Sequence, residues 1–124
     1  MDINSIKSNL EMNNFYFSNY SFTREKCISN GKYNINVEKY IKKIDIHEYH
    51  VILQTSIKKS DISLNVIAEA DFIFNSPTIL DEEKIIKQNA VAIMFPFVRS
   101  QITLMTSQPG MTPIVLPTIN TAKL

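Results

Sequence analysis

The strongest constraint on the fold is an alternation of apolar and polar residues over two consecutive stretches of the chain. Every second residue from Tyr49 to Ile57 is apolar or threonine, and the same holds from Leu64 to Phe74. The polar residues 58–61 separate the two stretches. A period of two is typical of strands with one buried face, and a short polar break is typical of a turn. The pattern therefore predicts a long β-hairpin.

Two more strands are predicted upstream of this hairpin. Tyr33, Ile35 and Val37 alternate with polar neighbours, and the phase shifts by one residue near Lys39, which predicts a β-bulge there. The aromatic-rich residues 15–22 form another candidate strand, also with a change of phase. We therefore expect at least four antiparallel strands.

After Pro77 the apolar spacing changes from that of a strand to that of a helix. Acidic residues 81–83 suit a first helical turn, and apolar residues recur at helical spacing as far as Met105. Pro96 either kinks this helix or opens a second one. The last residues, with Pro113 and Pro117, are expected to be extended. Strands followed by helices predict one α+β domain over 1–124, with a sheet at about 12–76, helices at about 80–108 and an extended tail at 109–124.

Composition excludes several classes of function. The two glycines, Gly31 and Gly110, are too far apart for a phosphate-binding loop, and the single Cys27 excludes an intrachain disulfide or a cysteine-based zinc site. On a strand, His47 and His50 would point to opposite faces, so they are not expected to share a metal ion. No cluster of residues supports catalysis. We therefore expect a protein that is not an enzyme and that uses no cofactor or metal.

Charge and hydropathy bound the partners and the location. A formal net charge of +1 argues against a nucleic-acid binder. The longest apolar run, 90–98, is far shorter than the roughly 20 residues of a membrane span, and residues 1–14 lack the apolar h-region that a signal peptide is expected to have. We expect a cytoplasmic protein with no membrane insertion.

The aromatic residues of the first strand exceed what one subunit is expected to bury. Phe15, Tyr16, Phe17, Tyr20 and Phe22 are numerous enough to supply both faces of the strand. Because one helical layer covers only one face of a sheet, the surplus predicts contact with another subunit or a bound ligand.

Residues 95–105, Phe-Pro-Phe-Val-Arg-Ser-Gln-Ile-Thr-Leu-Met, resemble the signature helix of the SecB family of protein-export chaperones, Phe-Pro-aromatic-x-Arg-x-x-Ile-Thr. Residues 113–120 are similar to the Leu-x-Pro-x-Asn ending of that family, and Ile73-Phe74 to the pair that closes its fourth strand. The resemblance implies a four-stranded antiparallel Greek-key sheet with helices packed on one face. It also implies a homotetramer, a dimer of dimers, that holds unfolded export-destined polypeptides without ATP and passes them to the SecA motor.

Three departures keep alternatives open. The chain ends at Leu124, so the family's C-terminal helix is expected to be essentially absent. Ile67 lies where a SecA-docking glutamate is expected, and the chain is close to neutral, which argues against delivery to SecA. SecB-like proteins also serve as chaperones dedicated to antitoxins, and this is one alternative. An oligomeric adaptor subunit that binds no client is another.

The resemblance and the aromatic surplus together indicate candidate site residues. Helix residues are expected to build either the core or the subunit interface, and Arg99 must be paired or face an interface because an unpaired buried charge is costly. The interface candidates are Val98, Arg99, Ile102 and Met105. The candidates for binding client peptides are Phe15, Phe17, Tyr20, Phe22, Tyr33, Ile35 and Val37.

Overall fold

A computed structural model describes residues 10–25, 32–75 and 81–120. It contains four strands, β1 (Leu10–Arg24), β2 (Asn34–Asp45), β3 (Glu48–Lys59) and β4 (Ile62–Phe74), followed by one helix, α1 (Glu82–Met105). Residues 111–120 are neither helix nor strand. Cys27 and Gly31 lie outside the described residues.

The four strands form one antiparallel sheet in the order β1-β4-β3-β2. Strands β2, β3 and β4 follow one another as hairpins, and β1 lies beside β4, which is a Greek-key arrangement. The helix packs against β3 and β4, on one face of the sheet. The predicted fold class is therefore confirmed, and in the described part of the chain one helix forms the helical layer.

The core lies between α1 and the two central strands. Alternate side chains of β3 and β4 face the helix and are almost completely buried, as the period of two predicts. The hairpin between these strands turns at Ser60 and Asp61. The largest fully buried side chains are Tyr49, Leu53, Ile57, Leu64, Phe72, Ile86, Met94 and Ile102.

Pro96 lies inside α1 and does not divide it. Proline lacks the N–H that would bond to the carbonyl of the residue four positions earlier, here Ala92. Both Pro96 and Ala92 are exposed, so that carbonyl lies on the side of the helix that water can reach. The sequence allowed Pro96 either to lie within one helix or to begin a second one, and the structure has one continuous helix.

Strand β1 contains two β-bulges, which explain its change of phase. The register with β4 shifts between Asn13 and Tyr16 and again between Phe17 and Asn19. Asn14, within the first shift, has a φ of 54°, a conformation that asparagine tolerates better than most residues. The bulges absorb the extra residues, so that side chains at even positions before the first bulge, odd positions between the bulges and even positions after the second share one face.

This arrangement corrects the expectation that the β1 aromatics supply both faces. Phe15, Phe17 and Phe22 pack against the core on the helix side, and Tyr20 pairs with the inward-facing Val66. Only Tyr16, which pairs with Glu69, faces the opposite side.

The bulge predicted near Lys39 is wrong. Strands β2 and β3 pair without a break from Asn34 to Lys43. Lys39 pairs with the buried Leu53 and so takes an inward position that the alternation reserves for an apolar residue. Its Nζ donates to the carbonyl of Lys87 on α1, at 3.2 Å. The apparent phase shift in the sequence arises because Lys39 occupies a helix-facing position, where its aliphatic stem packs and its amine is hydrogen-bonded.

The tail is fastened along α1 by side chains of the helix. Thr103 Oγ1 donates to the Ile114 carbonyl at 2.8 Å, and Arg99 Nε donates to the Leu116 carbonyl at 3.1 Å. Thr106 Oγ1 accepts the Ile114 N–H at 2.8 Å. Ile114 and Leu116 are thereby buried in the core, although their segment has no regular secondary structure.

Candidate functional site

The helix leaves the two outer strands partly uncovered on the face where it packs. Because α1 lies over β3 and β4, apolar side chains of β1 and β2 flank it on either side. We call them the β1 flank (Phe15, Phe17, Tyr20 and Phe22) and the β2 flank (Ile35 and Val37, with Tyr33 directly before the strand). Together they are the seven residues predicted to bind client peptides.

The β1 flank is a run of aromatic rings in mutual contact. The rings of Phe15 and Phe17 lie edge to face with centroids 5.3 Å apart, and those of Phe17 and Tyr20 do so at 6.4 Å. Phe15 also contacts Phe97 of the helix at 5.0 Å. Tyr20 is 57% exposed, so the run leads from the core out to solvent.

The β2 flank is smaller and more open. Ile35 is 47% and Tyr33 39% exposed, whereas Val37 is half-buried. Lys59 Nζ lies 5.3 Å from the centroid of the Tyr33 ring. Since β4 and β3 separate β1 from β2, the two flanks are roughly 14 Å apart across the sheet, at about 4.8 Å per strand. They form two surfaces on either side of α1, and not one groove.

The interface candidates on α1 divide into two groups. Val98 and Ile102 are fully buried in the core of the single chain. Of the two roles that the sequence left open, core and subunit interface, they therefore have the core role. Arg99 is half-buried and bonded to the tail, and Met105 is half-buried against the core. An interface role for Arg99 and Met105 stays a prediction.

A further apolar surface, which sequence reasoning missed, lies on the outer side of α1 and on the tail. Phe97 is 49%, Leu104 69% and Val115 71% exposed. A cavity of about 530 Å³ between helix and tail is lined in part by Leu104, Val115 and Arg99. The spacing of Phe97 and Leu104, two helical turns apart, was a usable signal for a second apolar stripe. We call Phe97, Leu104 and Val115 the helix–tail patch.

The face of the sheet away from α1 is polar around His50. Its Nδ1 lies 2.7 Å from Asp71 Oδ1 and its Nε2 2.8 Å from Glu69 Oε1. These hydrogen bonds, that to Asp71 first, raise the pKa of His50 above its ordinary value. The pKa of Asp71 is lowered, first by the bond from His50 and then by that from Asn14. Hydrogen bonds from Ser18 and then from His50 lower the pKa of Glu69.

The second histidine lies on a different side of the molecule. His47, in the turn between β2 and β3, contacts Glu82 at the start of α1, and the Tyr49 hydroxyl donates to the same carboxylate at 3.1 Å. Burial and the Glu82 carboxylate raise the pKa of Tyr49 to about 12. Both histidines are thus held by carboxylates. Within residues 10–25, 32–75 and 81–120, no group of three or more His, Cys, Asp or Glu side chains is arranged to hold a metal ion.

Comparison with known proteins identifies the fold. No family model matches the chain, and no curated protein matches it in sequence. A solved structure of the SecB-like chaperone Rv1957 from Mycobacterium tuberculosis, in complex with a ChAD peptide from the Rv1956 HigA1 antitoxin, superposes with a TM-score of 0.74 at 11% identity. The match covers 90% of this chain and 91% of that one. A protein of unknown function from Streptococcus agalactiae gives a TM-score of 0.57 at 14% identity, over 88% of this chain and 97% of the other.

The chain therefore has a SecB-like fold. In the part of the chain that the structure describes, no helix is long and apolar enough to cross a membrane.

Proposed function

We propose that this protein is a chaperone that binds non-native polypeptides without ATP, and that the β1 flank and the β2 flank are its client-binding surfaces. The observation that carries the proposal is the apolar surface on the helix side of both outer strands, with Tyr20 57% and Ile35 47% exposed. An unfolded segment could bury its own apolar side chains there. Such contacts tolerate many sequences because burial is non-directional. The SecB-like fold supports the proposal.

The client that we favour is an antitoxin. The specific observation is that the neighbour Rv1957 was solved with a peptide from an antitoxin bound to it. Ile67, on the outer face of the sheet where the SecB resemblance leads us to expect a SecA-docking glutamate, argues against export and delivery to SecA. Capture of clients from the native cell would separate the two roles, since export precursors and an antitoxin are distinct sets of proteins.

We further propose that copies of the chain associate through the helix–tail patch, as subunits of a homotetramer built as a dimer of dimers. Phe97, Leu104 and Val115 form an apolar surface that residues 10–25, 32–75 and 81–120 leave exposed. Exposed apolar patches of this kind are typical of protein interfaces. If the protein were instead an adaptor subunit, it would associate through the same patch, but its β1 and β2 flanks would not bind unfolded polypeptides.

The test is suppression of aggregation. The purified protein in stoichiometric excess, without nucleotide, is expected to slow light scattering by a chemically denatured client as it is diluted. A Tyr20→Ser/Ile35→Ser double variant should lose most of this effect. Ile46→Ser is the matched control, because Ile46 is 73% exposed in the β2–β3 turn, outside both flanks. Wild-type protein that leaves aggregation unchanged would exclude the chaperone function.

A further inference from the structure

Each bulge of β1 contains one polar residue whose side chain bonds to an acid of the neighbouring strand, β4. Asn14 lies in the first bulge, and Ser18 is the residue without a partner in the second. The Asn14 amide donates to Asp71 Oδ2 at 3.1 Å. The Ser18 hydroxyl is hydrogen-bonded to the Glu69 carboxylate and lies 3.5 Å from a backbone carbonyl of β4. Both bulges are therefore attached to β4 through a carboxylate.

The same two acids hold His50 of β3 between them. Each ring nitrogen of His50 lies within 2.8 Å of one carboxylate, Nδ1 of Asp71 and Nε2 of Glu69. The His50 side chain is 25% and the Glu69 side chain 18% exposed, so water has limited access to replace these bonds. One imidazole ring thus links the carboxylates that hold both bulges. We call Asn14, Ser18, His50, Glu69 and Asp71 the His50 cluster.

This geometry requires a proton on each ring nitrogen of His50. An ionised carboxylate only accepts hydrogen bonds, so two bonds to two carboxylates need two N–H groups. The acids are ionised because their own hydrogen bonds lower their pKa values. The bonds to Asp71 and Glu69 raise the pKa of His50 above its ordinary value of 6.5. A neutral ring keeps one N–H, and its other nitrogen then faces a carboxylate oxygen as one acceptor against another.

No other group around His50 changes charge near neutral pH. The remaining titratable side chains on this face close to His50 are Tyr16 on β1, Tyr40 and Lys42 on β2, and Glu48 on β3 itself. The pKa values of both tyrosines are raised above 10.0. Lys42, which pairs with His50, opposes its protonation, whereas Glu48 favours it. His50 is therefore the group of this set that can respond to pH in the physiological range.

The bulges also determine where the β1 flank places its rings. Phe15 follows Asn14 in the first bulge, and Phe17 precedes Ser18 in the second. The two rings contact each other and pack against the core. If a bulge is no longer bonded to β4, the strand can move locally and the rings lose their fixed positions. An ordered surface binds a client at a smaller entropic cost than a mobile one.

We propose that the doubly protonated His50 ring holds both bulges of β1 in place, and that loss of one of its protons to solvent loosens the bulges and weakens client binding by the β1 flank. The effect on clients rests on the proposed chaperone function, whereas the loosening of β1 does not. The expected direction is stronger binding on the acid side of the His50 titration and weaker binding on the alkaline side.

Nuclear magnetic resonance of the isotope-labelled full chain tests the effect on β1. The ring signals of His50 give its titration midpoint between about pH 5 and pH 9. The amide signals of residues 13–19 should shift with the same midpoint. Their protection against hydrogen exchange, corrected for the intrinsic effect of pH, should fall at least about tenfold across it, because loosening is a local opening. The paired residues Thr55 and Val66, away from the cluster, should keep their protection.

Variants on both sides of the cluster localise the effect. His50→Gln removes the titrating group, so residues 13–19 should exchange at the faster rate at every pH. The double variant Asn14→Gly/Ser18→Ala removes both side-chain bonds from the bulges and tolerates the positive φ of position 14. In it, His50 should still titrate but β1 should no longer respond. His47→Gln is the matched control, because His47 contacts a carboxylate at the start of α1 instead, and it should leave the β1 response unchanged.

Suppression of aggregation tests the effect on clients. Below the His50 midpoint, wild type should suppress aggregation at least about threefold better than His50→Gln, and above it the two proteins should be equal. The ratio of the two at each pH cancels the effect of pH on the client itself.

Three results would overturn the proposal: amides of β1 that do not follow His50, a β1 response that persists in His50→Gln, or aggregation suppression whose ratio to that variant is the same at every pH. Failure of the proposed function gives a different result. Wild type would then suppress no aggregation at any pH while β1 still followed His50, which would exclude the chaperone and support the role of His50 in holding the bulges.

Discussion

Replacing threonine by valine is expected to have opposite effects on stability at two buried positions, Thr106 and Thr55. Both side chains are completely buried. The Thr106 hydroxyl accepts the N–H of Ile114 and donates to the Ile102 carbonyl, each at 2.8 Å. The Thr55 hydroxyl has no hydrogen-bond partner among the described residues.

The magnitudes follow from these contacts. Thr106→Val leaves the N–H of the buried Ile114 without an acceptor, at a cost of about 1–3 kcal/mol. The Ile102 carbonyl still accepts the Thr106 N–H at 3.1 Å and adds little to this cost. The added methyl group returns up to about 0.8 kcal/mol of apolar burial. We therefore expect Thr106→Val to lower the free energy of unfolding by about 1–2 kcal/mol. Thr55→Val removes an unsatisfied polar group and should raise it by about 1 kcal/mol.

Urea denaturation followed by circular dichroism measures both changes. At a slope of about 1–2 kcal/mol per molar urea, the midpoints of the two variants should differ by roughly 1–3 M, with wild type between them. Thr112→Val, at an exposed position in the same tail, is the control and should change the midpoint little. If Thr106→Val is as stable as wild type, or Thr55→Val is less stable, the hydrogen bonding described for these hydroxyls is incorrect.

Three other predictions concern pH, backbone conformation and association. Because the folded-state pKa of His50 is raised, its contribution to stability is complete below the unfolded pKa of about 6.5 and is lost as the pH rises through the folded pKa. Unfolding in urea across this pH range should show that loss, and His50→Gln should remove it. The lowered pKa of Asp71 gives the opposite pH dependence. Its contribution to stability is lost as the pH falls through the folded-state pKa, and Asp71→Asn should reduce that loss of stability at acid pH. Gly110→Ala should lower the free energy of unfolding by about 1 kcal/mol. The cause is backbone strain alone, because the φ of Gly110 is 73° and an added Cβ meets no atom within 4 Å. A thermal melt measures the loss, and an unchanged melting midpoint would contradict this prediction. Leu104→Lys should lower the molar mass found by light scattering after gel filtration, whereas Ala92→Lys, elsewhere on the exposed side of α1, should not.

The central sheet could be predicted from the sequence because its constraint is local. From Tyr49 to Ile57 in β3 and from Ile62 to Phe74 in β4 every inward position is apolar or threonine, so the alternation alone defines the strands and their buried faces. The order of the strands could not be derived from this alternation, which does not specify neighbours. Greek-key order came instead from the resemblance of residues 95–120 to the SecB family.

The outer strands were harder because their side chains break the binary pattern. At Lys39 a charged residue faces inward because its stem packs and its amine reaches the helix. In the sequence this lysine interrupts the apolar alternation, and the interruption resembles a bulge. In β1 the sequence shows the change of phase. The side of the sheet that each aromatic side chain faces, however, depends on the positions of the bulges, which the sequence does not specify. The helix–tail patch was missed because Val115 joins Leu104 only through the path of the tail, which the hydrogen bonds to Arg99, Thr103 and Thr106 define.

The bulges of β1 have a consequence for changes in chain length. Deleting Ser18, the unmatched residue between Phe17 and Asn19, would restore regular alternation from Phe15 to Phe22 and leave every ring on its present face, while the bulge between Asn13 and Tyr16 would remain. The outer edge of the strand would become straighter, and straight unguarded edges promote sheet-to-sheet polymerisation. We therefore expect this one-residue deletion to preserve the core and to raise the tendency of the chain to polymerise through its β1 edge.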